Sequence, residues 1–211
     1  MPGTSRLIDI SPRITEATVV FPGDTPPQRE ILQELKRGDV VTLSTLHSTV
    51  HVGAHADGPN HYGLGGRSID EQPLDLYVGP CQLIRTNTAQ GDLVKLEHFE
   101  DELQKTKRLL ICTNSFPDSE RWTSDFCGLD PALVDYLGDC GIGLVGIDTP
   151  SVDPADSKAL PAHQRFFAND MAIVEGLILR DVDPGMYELI APPLPLAGFD
   201  GSPVRAILRT L

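Results

Sequence analysis

The sequence predicts an α/β domain, a mixed β-sheet flanked by helices, with residues 1–211 forming one unit. Three observations carry that expectation. Short apolar segments with β-branched content recur along the chain with helical patterns set between them, and such interspersion gives an α/β or α+β domain with a mixed sheet. Nineteen glycines and eighteen prolines are spread throughout, marking many short elements joined by tight turns. No internal repeat, low-complexity run or linker divides the 211 residues. A chain of that length buries about 70% of its unfolded surface and needs no disulfide or metal to fold.

The elements follow in order. Residues 7–10 (LIDI) read as a first strand. Residues 28–37 (QREILQELKR) fit helix or strand, because Ile31, Leu32 and Leu35 match a helical face without excluding an extended one. Residues 41–52 read as a strand with Leu46, Val50 and Val52 on one face and His47, Thr49 and His51 on the other. Gly53 ends that strand, His55 and Asp57 follow on the turn, and Pro59 keeps His61 off a regular element. Residues 81–85 and 108–113 read as strands, with a helix at 96–105 between them. A second helix opens at Asp130 as N-cap with Pro131 behind it and stops at Gly141. Residues 142–147 form the next strand, a short helix begins near Pro161, and 173–179 is a further strand. Local pattern leaves the strand order open.

Composition excludes several classes. The chain is 40% apolar and 22% charged, as expected of an ordinary globular domain. No run approaches ~18 apolar residues, and Asp9 and Glu16 interrupt the first twenty, so neither a transmembrane helix nor a signal peptide is expected. Cys81, Cys112, Cys127 and Cys140 form no CxxC pair, and Cys81 and Cys112 lie in apolar runs, which points to packed, reduced thiols and the cytoplasm. A formal charge of −13 opposes binding to nucleic acid or an anionic membrane, whereas a divalent cation meets a favourable field.

The stretch HVGAHADGPNHY (residues 51–62) holds three of the six histidines and an aspartate within eleven positions. A single loop histidine is ordinarily a solvated one. Three with a carboxylate beside them form the imidazole and carboxylate set preferred by zinc, manganese or iron, with no sulfur needed. His47 lies outside the tight group, in a supporting or structural place. Further ligands must come from elsewhere. Glu175 in the apolar run AIVEGLIL is either buried and paired or on a solvated edge strand, since an unpaired buried carboxylate costs several kcal/mol. His163 in LPAHQRFF taken alone reads as a surface histidine. Asp148, after the apolar GLVGI, reads as a turn cap before it reads as a ligand.

Residues 51–61 (HVGAHADGPNH) resemble the HxGTHxDxPxH signature of the metal-dependent cyclase/hydrolase family. DISPRITEATVVFPGDTP, GIDTPSVDPADSK, EGLIL and SPVRAILR resemble its bacterial kynurenine formamidase branch, and the likeness runs nearly end to end. The resemblance implies a swivelling β/β/α fold, a homodimer, and two divalent metal ions per subunit, usually zinc, with manganese as the alternative. It implies His51, His55 and Asp57 at the first metal, Asp57 and His163 at the second, Glu175 touching both, and His61 as proton donor and acceptor. Phe21 stands where this branch has a substrate-contacting tryptophan, and its ring can still stack on an aromatic substrate. Ala54 replaces the threonine of the motif.

The implied reaction is hydrolysis of N-formyl-L-kynurenine to L-kynurenine and formate, in tryptophan degradation. A metal-acidified water attacks the formyl carbon, and His61 carries the proton to the departing aniline nitrogen. A histidine suits this because its ordinary pKa lies near working pH. No GxSxG occurs to support a serine hydrolase. Two other readings stand beside this one: an isatin hydrolase-like opening of a cyclic or aryl amide on the same metals, and a non-catalytic metal-binding protein.

Overall fold

In the segment Arg108–Cys112 every residue is buried, and successive side chains point to opposite faces. Leu109 and Ile111 enter one hydrophobic cluster and Leu110 and Cys112 the other. A strand apolar on both faces belongs at the centre of a covered sheet, and that is where the computed structural model, which describes residues 5–211, places it. In chain order the first strands are β1 (Leu7–Asp9), β2 (Gln28–Gln33), β3 (Leu43–His47), β4 (His55–Asp57), β5 (Val78–Arg85), β6 (Leu93–Val94), β7 (Arg108–Cys112) and β8 (Gly128–Leu129). Helix α1 (Pro131–Asp139), β9 (Leu144–Ile147), helix α2 (Pro161–Ala168) and β10 (Ala172–Glu175) follow. The chain closes with β11 (Gly185–Ile190), β12 (Gly201–Pro203) and β13 (Ile207–Thr210).

Nine strands form one mixed sheet in the order β1-β13-β11-β5-β7-β9-β10-β4-β12. The inner four, β5, β7, β9 and β10, are parallel, and the flanks are antiparallel. Both α-helices cover one face: Leu133, Val134 and Leu137 of α1 and Ala162 and Phe166 of α2 pack with Leu109, Ile111, Val145 and Ile173. The mixed-sheet α/β domain expected from the sequence is therefore observed. Among the described residues no helix is long and apolar enough to cross a membrane.

Several elements differ from their sequence patterns. Helix α1 is capped as expected, with Asp130 accepting from the amide of Ala132 at 2.8 Å, and residues 28–33 resolve to strand. Residues 96–105 are not a helix but a single 3-10 turn, Leu96–His98, followed by irregular chain. Their backbone groups are taken elsewhere: Glu100 N–H donates to Arg85 O at 3.1 Å and Gln104 N–H to the Gln82 side chain at 2.7 Å. The strand expected over 41–52 ends at His47, and His55 and Asp57 lie on strand β4 rather than on a turn. The strand expected over 173–179 ends at Glu175, because Gly176 turns the chain at a φ of 68°.

Candidate metal centre

Strands β4 and β10 are antiparallel neighbours with His55 opposite Glu175. The two-residue period of a strand sorts their side chains: Ala54, Ala56 and Val174 enter the core on the face away from the helices. His55, Asp57 and Glu175 consequently point to the other face, where α2 brings His163. Glu175 is 3% exposed on a strand that lies between β9 and β4, so the solvated-edge reading of this residue fails. The site lies beyond the carboxyl ends of the inner parallel strands, the usual place for a ligand in an open α/β sheet.

Asp57 is at the middle. Its Oδ1 is 3.0 Å from His51 Nδ1 and 3.6 Å from His55 Nε2, and its Oδ2 is 3.5 Å from His163 Nε2. None of these contacts is aligned as a hydrogen bond, and both oxygens are buried without a partner. Glu175 closes the group: Oε2 is 3.2 Å from His55 Nε2 and Oε1 is 3.8 Å from His163 Nε2, while Oε1 also accepts the amide of Val152 at 2.8 Å. Donor atoms of His55, Asp57 and Glu175 lie within 4.8 Å of one another, and so do those of His51, Asp57 and His61. A buried carboxylate with unpartnered oxygens facing imidazole nitrogens fits a divalent cation, which these groups would satisfy.

The outward ring nitrogens are also held, as metal-ligating histidines require. His55 Nδ1 is 3.0 Å from Gly53 O, His163 Nδ1 is 2.7 Å from Asp153 Oδ2, and His51 Nε2 is 3.2 Å from Asp200 Oδ2. Asp153 also accepts the amides of Ala162 and His163, so one buried carboxylate caps the start of α2 and sets its histidine. The electrostatics follow. Burial opposes charge on both His51 and His163, yet Asp57 and Asp200 raise His51 to about 9, and Asp153 and Asp57 raise His163 to about 10. Burial likewise opposes ionisation of Asp57, but the rings of His163 and His51 hold its carboxyl well below the usual carboxylate range.

All the site residues expected from the sequence border one cavity or its floor. His51, His55, His61, His163, Glu175 and Phe21 line a cavity of about 260 Å³, with Asp57 buried behind His51 and His55. The His61 ring stands 4.2 Å from that of His51 and is one-third exposed, on the solvent side of the group. Phe21 meets Trp122 edge-on at 5.1 Å, and Phe116 lines the same cavity. His47 pairs with Glu30 on an exposed ribbon and takes no part. Asp148 lines the cavity but its oxygens accept the amides of Thr113 and Asn114, which is the capping role the sequence favoured. Asp153, Asp200 and Phe116 were not singled out in the sequence.

The Cyclase family model matches residues 8–154 of the chain. Among solved structures, a protein described as a potential metal-dependent hydrolase with cyclase activity is 28% identical, with a TM-score of 0.85 over 99% of each chain. A protein from Bacillus stearothermophilus described as a predicted metal-dependent hydrolase is also 28% identical, with a TM-score of 0.82 over 99% of this chain and 100% of its own. Isatin hydrolase A from Labrenzia aggregata, solved with benzyl benzoate bound, shares the fold at 20% identity, with a TM-score of 0.80 over 98% of this chain and 94% of its own.

Proposed function

The chain belongs to the Cyclase family, and on that premise we propose that it hydrolyses N-formyl-L-kynurenine to L-kynurenine and formate with two divalent metal ions, zinc by preference, as a homodimer. The observation that carries the reading is the buried, unpartnered Asp57 carboxylate, ringed by His51, His55 and His163 at the wall of a cavity of about 260 Å³. His51, His55 and Asp57 would hold the first ion, Asp57 and His163 the second, and Glu175 both. Bound there, the metal supplies Lewis acidity, which lowers the pKa of a water and polarises a carbonyl oxygen.

The other steps belong to the chain itself. Gly53 O, Asp153 and Asp200 fix the ligating rings, so the donor set is organised before any ion arrives. His61, outside the buried group and next to His51, takes the proton from the attacking water and gives it to the aniline nitrogen as the C–N bond breaks. Phe21 and Phe116 supply an aromatic wall on which the aryl ring of the substrate stacks.

The test pairs elemental analysis of the purified protein with formate release from N-formylkynurenine, run beside ring opening of isatin. Chelation is expected to abolish formate release and Zn²⁺ to restore it. Full activity in verified metal-free protein overturns the metal mechanism. Faster turnover of isatin moves the substrate to a cyclic aryl amide, and no turnover of either after reconstitution leaves a metal-binding protein.

A further inference from the structure

We propose that Asp200 is a positioning residue that holds His51 and His61 together through one carboxylate oxygen, setting the tautomers of both rings. The proposal rests on the reading of this centre as a hydrolytic metal site. Asp200 Oδ2 is 3.2 Å from His51 Nε2 and 3.5 Å from His61 Nδ1, and the two rings lie 4.2 Å apart at an interplanar angle of 35°. A His51 that donates its Nε2 proton to Asp200 keeps the lone pair on Nδ1, the nitrogen that faces Asp57 at 3.0 Å. His61 turns Nδ1 toward the same oxygen at 3.5 Å, a longer contact that is not aligned as a hydrogen bond, and with its proton held on that side the ring keeps the lone pair on Nε2, ready to accept a proton.

The three outward anchors are not equivalent. Gly53 O and Asp153 each hold a single ring, those of His55 and His163. Asp200 alone links a ring placed among the metal donors to the ring placed for proton transfer, and its side chain is half exposed at the edge of the group.

The backbone puts it there. Asp200 O accepts the amide of Gly58 at 2.8 Å, and the next residue, Gly201, pairs with Asp57 across β12 and β4. The carboxylate is thus tied in register to the strand that carries Asp57. Gly201 makes room for the contact, since a Cβ there would stand 2.8 Å from His51 Cε1 and 3.1 Å from Ala56 O. Any larger residue at 201 would push the His51 ring off Asp200.

The experiment compares Asp200→Ala and Asp200→Asn with the wild type, all zinc-loaded. It measures kcat and KM on N-formylkynurenine, retained zinc, and the imidazole ¹⁵N resonances of His51 and His61. Asp200→Ala is expected to lower kcat by about 10–100-fold, the scale of lost outer carboxylate partners, with KM within about twofold and most zinc retained. The ¹⁵N resonances of His61 should move toward a mixture of tautomers, while zinc-bound His51 keeps its proton on Nε2 and shows only the Nε2 shift that follows loss of the carboxylate partner. Asn keeps one acceptor oxygen, so Asp200→Asn should fall between Ala and wild type. Unchanged resonances and kcat in Asp200→Ala overturn the proposal, as does a loss of zinc as complete as that of His51→Ala. If the wild type does not turn over the formamide, the substrate assignment fails by itself, and the ¹⁵N spectra still decide the role of Asp200.

Discussion

One carboxylate, Asp57, serves three imidazoles, and its two oxygens are buried with no aligned hydrogen bond. His51 and His55 face it directly. His61 also has a nitrogen within 4.8 Å of His51 and Asp57 donors, yet its ring is more exposed and contacts the half-exposed Asp200. The assigned roles therefore separate under mutation. His51→Ala and His55→Ala should lose metal and activity together. His61→Ala should retain most of its metal while the rate falls by about 10²–10⁴, the usual scale for general acid–base catalysis. Metal analysis and turnover on the same samples check this, and a His61→Ala protein as empty as His51→Ala would make His61 a ligand. The cluster at 51–61 was legible because three histidines and an aspartate share eleven positions. Glu175 stood out only as a carboxylate in an apolar run, with burial and a solvated edge both open, and His163 alone read as a surface histidine; the family resemblance placed both at the metals. Asp153 and Asp200 were not legible, because thirty acidic residues look alike until the fold puts two of them against ring nitrogens.

At the level of elements, spacing reported burial more faithfully than conformation. Leu96, Phe99 and Leu103 recur at helical intervals, and Phe99 and Leu103 do pack against the helix-side core, but the backbone there is not helical. Strand β4 was hidden for the opposite reason. Its sequence, His-Ala-Asp, carries the site instead of an apolar alternation, so the polar residues that make it useful mask the strand. The join between β10 and the loop before β4 is tight enough to test. A Cβ on Gly176 would lie 2.1 Å from Gly53 O, the acceptor that fixes His55, and Gly176 has a φ of 68°. Gly176→Ala should cost roughly 1–2 kcal/mol in backbone strain alone, or about 2–8 °C in melting temperature. Metal content should drop with it, as Gly53 O moves away from the His55 ring. A variant with unchanged melting temperature and full metal content would mean that this loop yields freely.

Across the whole molecule, sequence-adjacent strands are often not neighbours: β4 and β5 stand at opposite sides of the parallel core. Local periodicity finds strands but holds no record of such pairing, which is why the mixed sheet was legible and its order was not. The same view isolates the ribbon of β2 and β3. Neither strand has a buried residue, and Leu32, Leu35, Leu43 and Leu46 are all exposed. A two-stranded ribbon is marginal by itself in water, so this one needs a surface to cover it. Its charge favours a second copy. Residues 28–47 carry Arg29, Lys36 and Arg37 against Glu30, Glu34 and Asp39, whereas the chain as a whole has a formal charge of −13. Two copies of an acidic chain repel over most of their surface and least at this neutral segment. The proposed homodimer is therefore expected to form through the ribbon. The wild type should sediment as a dimer at micromolar concentration. Leu43→Glu with Leu46→Glu places a charge on each face of β3 and should give a monomer by analytical ultracentrifugation, with the metal content retained, since neither side chain is among the metal donors. A monomeric wild type, or a double variant that still sediments as a dimer, would remove the ribbon as the contact.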